Sequence, residues 1–456
     1  MALDNGVANV DVVVVGGGLS GLCAARTLSR AGRSAIVLEA RDRVGGRTFS
    51  HRLGNGLFDM GGQFVGPGQD NVKRLADEFG LELMPMYASG RKIQDFGGRM
   101  SRYFLPFPTL SFLRPFPLWN QIGLALVAAS MELGRRDVPL DAPWRAAQAV
   151  KWDSLSVGTW MSRGLFRTKE VRGFLDAVLR PGFGSEASEV SLLNLLFFMN
   201  STGGLLSALQ GQKFRFAYGS QGMSLKLQQV LADRILLNAP VRSIEQNPAG
   251  VTVTCDRGAV TAKYVIVTVP TPLTATIRYT PPLTGLRRGL AQRCPMGSEV
   301  KIFATYDRNF WRDKGLSGEV VTDGGPVTVV FDNTTPHGEQ PALLALVGGR
   351  HAHTWHTRQP DERRAAVLAN FAKWFGPEAL HPTGFIEWDW RTEEWTGGCP
   401  LAVMSPGAWL YFGQALREPV GRIHWAGSEL SEQWCTYMDG AIHSGETTAA
   451  RVLDLL

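Results

Sequence analysis

Three glycines near the start of the chain have the spacing of a phosphate-binding loop. Gly16, Gly18 and Gly21 form the pattern G-x-G-x-x-G. They follow a run of valines typical of a buried parallel strand and precede a segment, 19–31, with the pattern of a helix. Glycines let the backbone turn tightly and approach a pyrophosphate, whose charge is attracted by the free N–H groups at the helix start. The pattern predicts a dinucleotide site.

An acidic residue completes this β-α-β unit. A second apolar strand, 34–38, ends at Glu39, about 20 residues beyond the glycines, where an acidic side chain accepts hydrogen bonds from a ribose. Chance matches are easy in a chain with 52 glycines, so it is the strand, helix and acid around the motif that support the site. Arg41, Gly46 and Arg47 follow and bring further N–H groups and positive charge to a diphosphate.

Blocks far apart in the chain resemble the flavin-containing monoamine oxidases. They are Met-Gly-Ser-Glu-Val-Lys-Ile at 296–302, Trp-Thr-Gly-Gly-Cys at 395–399, Trp-Ala-Gly-Ser-Glu at 425–429 and the stretch 434–441. The glycine-rich start resembles the amine oxidase branch of the glutathione-reductase-type flavoproteins. Because the similarity runs nearly end to end, it does not rest on the nucleotide motif alone.

The resemblance implies an α/β protein, in which a Rossmann-like FAD-binding domain carries an inserted α+β substrate-binding domain. Two domains are also expected from the length of 456 residues, since a single core stops growing below that size. We predict a discontinuous FAD-binding domain of residues 8–80, 215–290 and 390–456. The substrate-binding domain takes the remaining stretches, 81–214 and 291–389.

Local patterns predict elements within these domains. The region 81–215 is predicted to be helical and loop-bearing: proline and aromatic residues are frequent at 104–119, and after residue 141 the pattern is mostly helical, with loops at 180–185 and 200–204. Strand signals resume at 218–222 and continue into the clearer β runs that follow. The pattern at the end of the chain predicts a helix over 440–455.

The family implied by the resemblance oxidises an amine to an imine, passes two electrons to FAD and returns them to dioxygen, giving hydrogen peroxide. The imine then hydrolyses to an aldehyde or ketone. A primary or secondary amine and dioxygen are therefore the expected small-molecule partners. One alternative is an amino-acid oxidase or another flavoprotein oxidase or dehydrogenase, with Arg180 or Arg215 binding a carboxylate. Another is a non-catalytic flavin-binding scaffold, which the presence of Lys301 and Tyr437 disfavours.

Two residues are candidates for a catalytic role by resemblance. Lys301 matches the family lysine that holds a water against the reactive flavin nitrogen, and Tyr437 matches one wall of an aromatic pair that flanks the amine. Pro400 stands where the family has the second tyrosine, so the substrate is expected to be wider or differently shaped. Trp395 or Phe64 are candidates for the missing ring.

Cys399 matches a cysteine through which some family members attach FAD covalently, while others bind FAD without that bond. The sequence leaves both arrangements open. The substrate-binding positions implied by the resemblance are Leu205, Gln212, Pro400 and Tyr437. The cofactor-binding positions are Gly16, Gly18, Gly21, Glu39, Arg41, Gly46, Arg47, Gly61, Gly62, Gln63, Val241, Cys399, Gly427, Ser428, Glu429 and Met438.

The net charge, the cysteine content and the hydropathy of the chain disfavour several other classes of protein. The net charge of +6 is spread without a polybasic cluster, so nucleic acid is not an expected partner. Five widely spaced cysteines predict neither a disulfide framework nor a zinc site, and no metal is expected. No signal peptide is evident, and the most apolar stretch, 117–133, is short for a span and contains polar residues. We expect a cytoplasmic protein without a membrane anchor, with a homodimer as one option.

Overall fold

The computed structural model describes residues 8–104, 116–163 and 168–456, and its first sheet contains the predicted β-α-β unit. Strand β1 (Ala8–Val15) lies between the parallel strands β2 (Ala35–Leu38) and β13 (Gly258–Val267). Val12 and Val14 pack into one apolar cluster, and Val13 and Val15 into another, so that both faces of β1 are buried. This explains the unbroken valine run.

Further strands extend this sheet to eight. The parallel strand β10 pairs with β2, and β20 pairs with β13. An antiparallel arm continues from β13 through β12 to β11, and β14 forms its edge. The bounds are β10 (Ile235–Leu236), β11 (Val241–Asn247), β12 (Gly250–Cys255), β14 (Arg278–Thr280) and β20 (Ile423–Trp425).

A second sheet of seven strands is mixed and draws on two distant parts of the chain. Its strand β15 (Glu299–Thr305) is buried along its whole length between two antiparallel neighbours. In spatial order the sheet consists of β19 (Gly384–Asp389), β15, β18 (Ala342–Gly348), β17 (Val329–Asp332), β16 (Leu316–Thr322), β7 (Arg91–Phe96) and β8 (Arg99–Tyr103).

Two small sheets complete the β structure. One is the hairpin of β3 (Ser50–Leu53) and β4 (Gly56–Asp59). The other has β9 (Phe214–Phe216) between β5 (Phe64–Val65) and β6 (Leu83–Pro85).

Four helices pack on the first sheet, and the other helices belong to other parts of the chain. The first sheet is packed by α1 (Leu19–Arg30), α2 (Asp70–Glu78), α9 (Gln221–Leu231) and α15 (Met438–Leu453). The other helices are α3 (Leu118–Arg136), α4 (Ala149–Asp153), α5 (Val157–Met161), α6 (Lys169–Phe183), α7 (Leu192–Ser201), α8 (Leu205–Leu209), α10 (Gly285–Arg293), α11 (Phe310–Asp313), α12 (Arg350–His353), α13 (Pro360–Phe375) and α14 (Ala408–Phe412). No helix within the described ranges is long and apolar enough to cross a membrane.

The α/β class and the first β-α-β unit are confirmed, and three local predictions are wrong. Residues 218–222 are not a strand, because Gly219 adopts a φ of +85° and α9 begins at Gln221. Residues 180–185 are not all loop, since α6 runs through Pro181 to Phe183. Pro181 lies in the last turn of α6, where its missing N–H removes one backbone hydrogen bond without ending the helix. Gly184 then ends the helix in the left-handed conformation.

The third error concerns the start of the region expected to be mostly helical. It contains β6, β7 and β8, and the last two join the second sheet beside β16. Their alternation is weak in sequence because β8 is largely exposed. The predicted domain boundaries themselves stay a prediction.

Asp153 joins three helices and is fully buried. Its carboxylate accepts hydrogen bonds from the Ser191 hydroxyl, at 2.6 Å, and from the backbone N–H of Leu410, at 2.8 Å. These donors lie at the start of α7 and within α14, whereas Asp153 ends α4. One side chain therefore fixes a helix near the end of the chain to the helical layer.

Replacing Asp153 with alanine should destabilise the protein, because the buried Ser191 hydroxyl and the half-buried N–H of Leu410 would lose their acceptor. Each such group costs about 1–3 kcal/mol, so we expect a loss of at least about 2 kcal/mol, seen as a lower melting temperature. Ser191→Ala removes one of the two hydrogen bonds to the carboxylate together with the N-cap of α7, so it should lower the melting temperature as well. A melting temperature of Asp153→Ala equal to that of the wild type would contradict this role.

Candidate active site

A cavity of about 400 Å³ lies at the carboxyl ends of β1 and β2 and continues to the second sheet. Such a volume is typical of ligand sites, and the carboxyl ends of parallel strands are where α/β sheets bind ligands. Its lining includes most positions predicted from the sequence: Gly16, Gly18, Glu39, Arg41, Gly46, Arg47, Gly61, Gly62, Gln63, Gln212, Val241, Lys301, Cys399, Pro400, Gly427, Ser428, Tyr437 and Met438.

The glycine-rich loop packs so closely that side chains would not fit. Gly16 has a φ of +107°, and a Cβ added to it would lie 2.7 Å from the Thr268 hydroxyl. A Cβ on Gly21 would lie 2.0 Å from the carbonyl oxygen of Gly16. Gly21 therefore does not line the cavity; it lets α1 pack against the end of β1. The bare backbone of Gly16 and Gly18 faces the cavity instead.

Glu39 ends β2 and is buried at the same edge of the cavity. Its carboxylate accepts the N–H of Gly17 at 2.6 Å and that of Arg41 at 2.9 Å. A carboxylate has about four acceptor positions, so a ligand can still be bound. Arg41 is itself held by Glu393, at 3.1 Å, and by Thr396.

Arg47 forms a two-pronged ion pair with Glu429. The two contacts measure 2.5 and 2.9 Å, and the guanidinium also donates to the carbonyl of Pro400 and the hydroxyl of Ser428. Burial alone would raise the pKa of Glu429, but the charge and hydrogen bonds of Arg47 outweigh it and hold the value at about 2. Glu429 lies behind Arg47 and does not line the cavity. It was predicted to bind the cofactor, but in the structure it contacts Arg47 and not the cavity.

Lys301 lies on β15 at the other end of the cavity and is buried. Its ammonium donates to the carbonyl of Gly61 at 2.9 Å and to the side-chain oxygen of Gln63 at 2.6 Å. The amide of Gln63 in turn donates to Asn333 at 2.8 Å, which orients the Gln63 oxygen towards Lys301. Burial lowers the pKa of the Lys301 ammonium, and the nearby carboxyls of Asp59 and Glu299 act against that fall.

Tyr437 stands at the start of α15 with its ring among aromatic side chains. The ring lies almost parallel to Phe198, with centroids 6.0 Å apart, and almost perpendicular to Trp434, at 5.1 Å. Burial raises the pKa of Tyr437 to about 12, so the phenol stays neutral. A Cβ on Gly211 would lie 3.0 Å from the Tyr437 hydroxyl, so a glycine there leaves room for the ring.

The candidate replacements for the second aromatic wall have different surroundings. Phe64 and Trp395 both line the cavity. The ring centroid of Phe64 lies 5.7 Å from the ammonium nitrogen of Lys301. The ring of Trp395 is stacked by the guanidinium of Arg242 at 5.4 Å. Phe64 is therefore the ring nearer to the lysine, and Trp395 is already engaged by a cation.

Leu205 does not reach the cavity lining. It begins α8, packs against an apolar cluster that includes Leu195 and Met199, and donates its backbone N–H to Glu132. In this part of the chain the cavity is lined by Phe198 and Gln212 instead.

Cys399 lines the cavity with a buried thiol, and a cis peptide bond joins it to Pro400. Burial raises the pKa of this thiol, which keeps it protonated. All five cysteines are free. The arginines proposed for a carboxylate are elsewhere: Arg180 pairs with Glu186 at 2.8 Å, Arg215 donates to a backbone carbonyl, and neither lines the cavity.

Several lining residues were not identified from the sequence. Thr268 follows β13 at the carboxyl end of the sheet, where the strand pattern gave a usable signal. Phe198 gave none, because it lies in the apolar run of α7 and is indistinguishable there from core. The lining residues missed include Thr48, Phe198, Thr268, Leu273, Ile277 and Glu299.

Comparison with known proteins agrees with this geometry. The family described as flavin containing amine oxidoreductase matches residues 19–453. The Mycobacterium tuberculosis protein AofH, assigned as a flavin-containing monoamine oxidase, is 39% identical over 100% of this chain and 99% of its own. The bovine flavin-containing amine oxidase A is 35% identical over 98% of this chain and 85% of its own.

Solved structures are similar over the same length. Putrescine oxidase, in its wild-type form bound to putrescine, superposes with a TM-score of 0.93 and 32% identity, covering 98% of this chain and 100% of that one. Cyclohexylamine oxidase from Brevibacterium oxydans IH-35A gives a TM-score of 0.90 and 32% identity, with 98% and 99% covered. The chain therefore belongs to the flavin-containing amine oxidoreductases, and it is an FAD-dependent amine oxidase.

Proposed function

We propose that the protein oxidises an apolar primary or secondary amine, alicyclic or arylalkyl, to an imine, with dioxygen reduced to hydrogen peroxide. The imine then hydrolyses in water to an aldehyde or ketone. The observation that supports this is a single cavity lined by the glycine-rich loop, the buried Lys301 and the aromatic surroundings of Tyr437. One cavity therefore combines a loop suited to a dinucleotide, the ammonium of Lys301 and an aromatic wall against which an amine can pack.

The lining suits FAD. A Cβ on Gly46 would lie 3.3 Å from the Cα of Gly18, so two glycine backbones form one narrow edge of the cavity. Arg47 adds a partly buried positive charge beside it. We assign the diphosphate to these groups and a ribose to Glu39. When bound, FAD supplies the acceptor for the two electrons removed from the amine.

Lys301 is proposed to assist the reaction with dioxygen. An ammonium has three N–H donors, and two of them are accounted for by Gly61 and Gln63. The third is left for a water or another ligand in the cavity. Both protein acceptors are uncharged, and no residue of the described ranges forms a direct ion pair with the ammonium of Lys301.

Tyr437 and Phe198 are proposed to form the wall against which the amine rests. The face of an aromatic ring attracts a cationic or partly positive nitrogen and excludes water. An apolar environment disfavours the charged form of an amine, and the neutral form has the lone pair that oxidation needs. Pro400, instead of a second tyrosine, leaves the opposite side of the site without a hydroxyl.

The amino-acid oxidase alternative lacks support at the arginines expected for it. Arg180 and Arg215 are both engaged by protein groups and lie off the cavity lining. A substrate without a carboxylate is therefore favoured.

The function is tested by a substrate panel read as hydrogen peroxide release. We expect turnover of cyclohexylamine and phenethylamine and little or none of amino acids, with putrescine as the comparison for a second ammonium group. Under anaerobic conditions the same amines should bleach the flavin absorbance. Bleaching by amino acids alone, or by no compound of the panel, would refute the proposal.

Replacing Lys301 with methionine should slow reoxidation of the reduced enzyme by dioxygen. We expect a decrease of about tenfold or more, which corresponds to about 1.4 kcal/mol, while the ratio of FAD to protein stays unchanged. Stopped-flow mixing of the reduced enzyme with dioxygen measures this rate. Lys92→Met is the matched control, because Lys92 is also a buried lysine of the second sheet but pairs with Glu319 away from the cavity. Equal rates in wild type and Lys301→Met would remove the role given to Lys301.

Tyr437 should act through its ring rather than its hydroxyl. Tyr437→Phe keeps the ring and should reduce flavin at close to the wild-type rate. Tyr437→Leu loses an interaction of about 1 kcal/mol and should be slower by about fivefold to tenfold. Anaerobic flavin reduction by the best amine measures both. A phenylalanine variant as slow as the leucine variant would show that the hydroxyl matters instead.

A further inference from the structure

Glu299 is a second ionisable group on the same face of β15 as Lys301. The two residues are separated by one position, and alternate side chains of a strand point to the same face. Both are buried, and both line the cavity. Glu299 is only 7% exposed. The carboxyl was not part of any site predicted from the sequence.

The carboxyl of Glu299 lacks the hydrogen bonds that buried acids normally have. Its Oε2 atom is buried and has no hydrogen-bond partner in the described part of the chain. The other buried acid near Lys301 is different, since Asp59 accepts hydrogen bonds from Ser50, at 2.6 Å, and from the N–H of Ser220, at 2.9 Å. Glu299 is therefore free to change its protonation without breaking a hydrogen bond to the protein.

The charge of Lys301 depends on groups beyond its two neutral hydrogen-bond acceptors. The titratable or charged side chains that face it are Asp59 from β4, Arg215 from β9, Glu299 from β15 and the thiol of Cys399. Burial lowers the pKa of Lys301 and raises that of Glu299. The negative charge of Glu299 raises the pKa of Lys301, and the positive charge of Lys301 lowers the pKa of Glu299, so each charge opposes the effect of burial on the other group. Among these groups, Glu299 shares both the strand face and the cavity with the lysine.

We propose that Glu299 and Lys301 form a proton-sharing pair, in which the Glu299 carboxyl determines whether Lys301 is charged during reoxidation of the bound FAD. The proposal rests on the role given to Lys301 under the proposed function. Two coupled groups release their protons in two steps that belong to the pair. Between those steps the pair holds one proton, and the net charge beside the cofactor is zero.

Removing the carboxylate of Glu299 should lower the pH at which Lys301 loses its proton. In Glu299→Gln the ammonium of Lys301 loses a nearby negative charge, so its charged form is less favoured and it releases its proton at lower pH. Two steps become one, and its midpoint lies below the upper midpoint of the wild type. Residues i and i+2 of a strand are about 7 Å apart along the backbone, and at that separation a charge in a partly buried site changes a midpoint by roughly one pH unit or more.

The test uses the FAD-loaded enzyme and two readouts. The absorbance spectrum of the oxidised enzyme is recorded against pH without substrate, and the rate of reoxidation by dioxygen is measured over the same range. We expect the upper midpoint in Glu299→Gln to move down by about one unit or more in both readouts, with unchanged FAD content. Glu299→Asp keeps the charge and should stay near the wild-type midpoint. An unmoved midpoint in Glu299→Gln, or equal shifts in both variants, would overturn the proposal.

Two controls separate this proposal from the role of Lys301. In Lys301→Met only the step of the Glu299 carboxyl remains, and reoxidation should be slow at every pH; reoxidation as fast as in the wild type would mean that the role of Lys301 fails. If Lys301→Met slows reoxidation but the midpoint does not move in Glu299→Gln, only the Glu299 proposal fails. Glu387→Gln tests specificity, because Glu387 pairs with Ile302 on the neighbouring strand and binds Arg363 and Trp355. It should leave the midpoint in place, and a shift like that of Glu299→Gln would overturn the proposal.

Discussion

The ion pair between Arg47 and Glu429 connects the N-terminal and C-terminal parts of the chain beside the cavity. It connects the loop after the first β-α-β unit with the segment that follows β20, and Arg47 also binds the carbonyl of Pro400. Glu429 is buried and Arg47 is partly buried, so removing Arg47 would leave a buried carboxylate uncompensated, which typically destabilises a protein strongly. The contact thereby links the loop that carries Arg47 to Pro400 and to the segment that leads into α15.

The sequence predicted the parts of the site that rest on backbone geometry. The spacing of Gly16, Gly18 and Gly21 requires a particular turn, and the unbroken valine run requires a strand buried on both faces; the structure has both. Lys301 was noticeable because an isolated lysine in an apolar strand is costly without a partner. Such residues can be identified from the sequence because the segments around them favour one interpretation.

Other features depend on contacts between distant segments and could not be predicted. Phe198 stacks on Tyr437 only because α7 packs beside the start of α15, and Asn333 orients Gln63 across the second sheet. Glu429 has the right motif, yet a guanidinium lies between it and the cavity. The roles of individual site residues, the homodimer and the cytoplasmic location stay predictions.

The hydrogen-bond chain from Lys301 through Gln63 to Asn333 has a consequence for how this enzyme can diversify. The lysine is aimed by residues that lie apart from the Tyr437 wall, and Asn333 is not on the cavity lining. Mutations that reshape the amine pocket can therefore accumulate without disturbing the orientation of Lys301. Under the role proposed for Lys301, selection for a new substrate and selection for the electron acceptor would act on separate sets of residues, which would allow one scaffold to acquire many specificities while keeping the same terminal step.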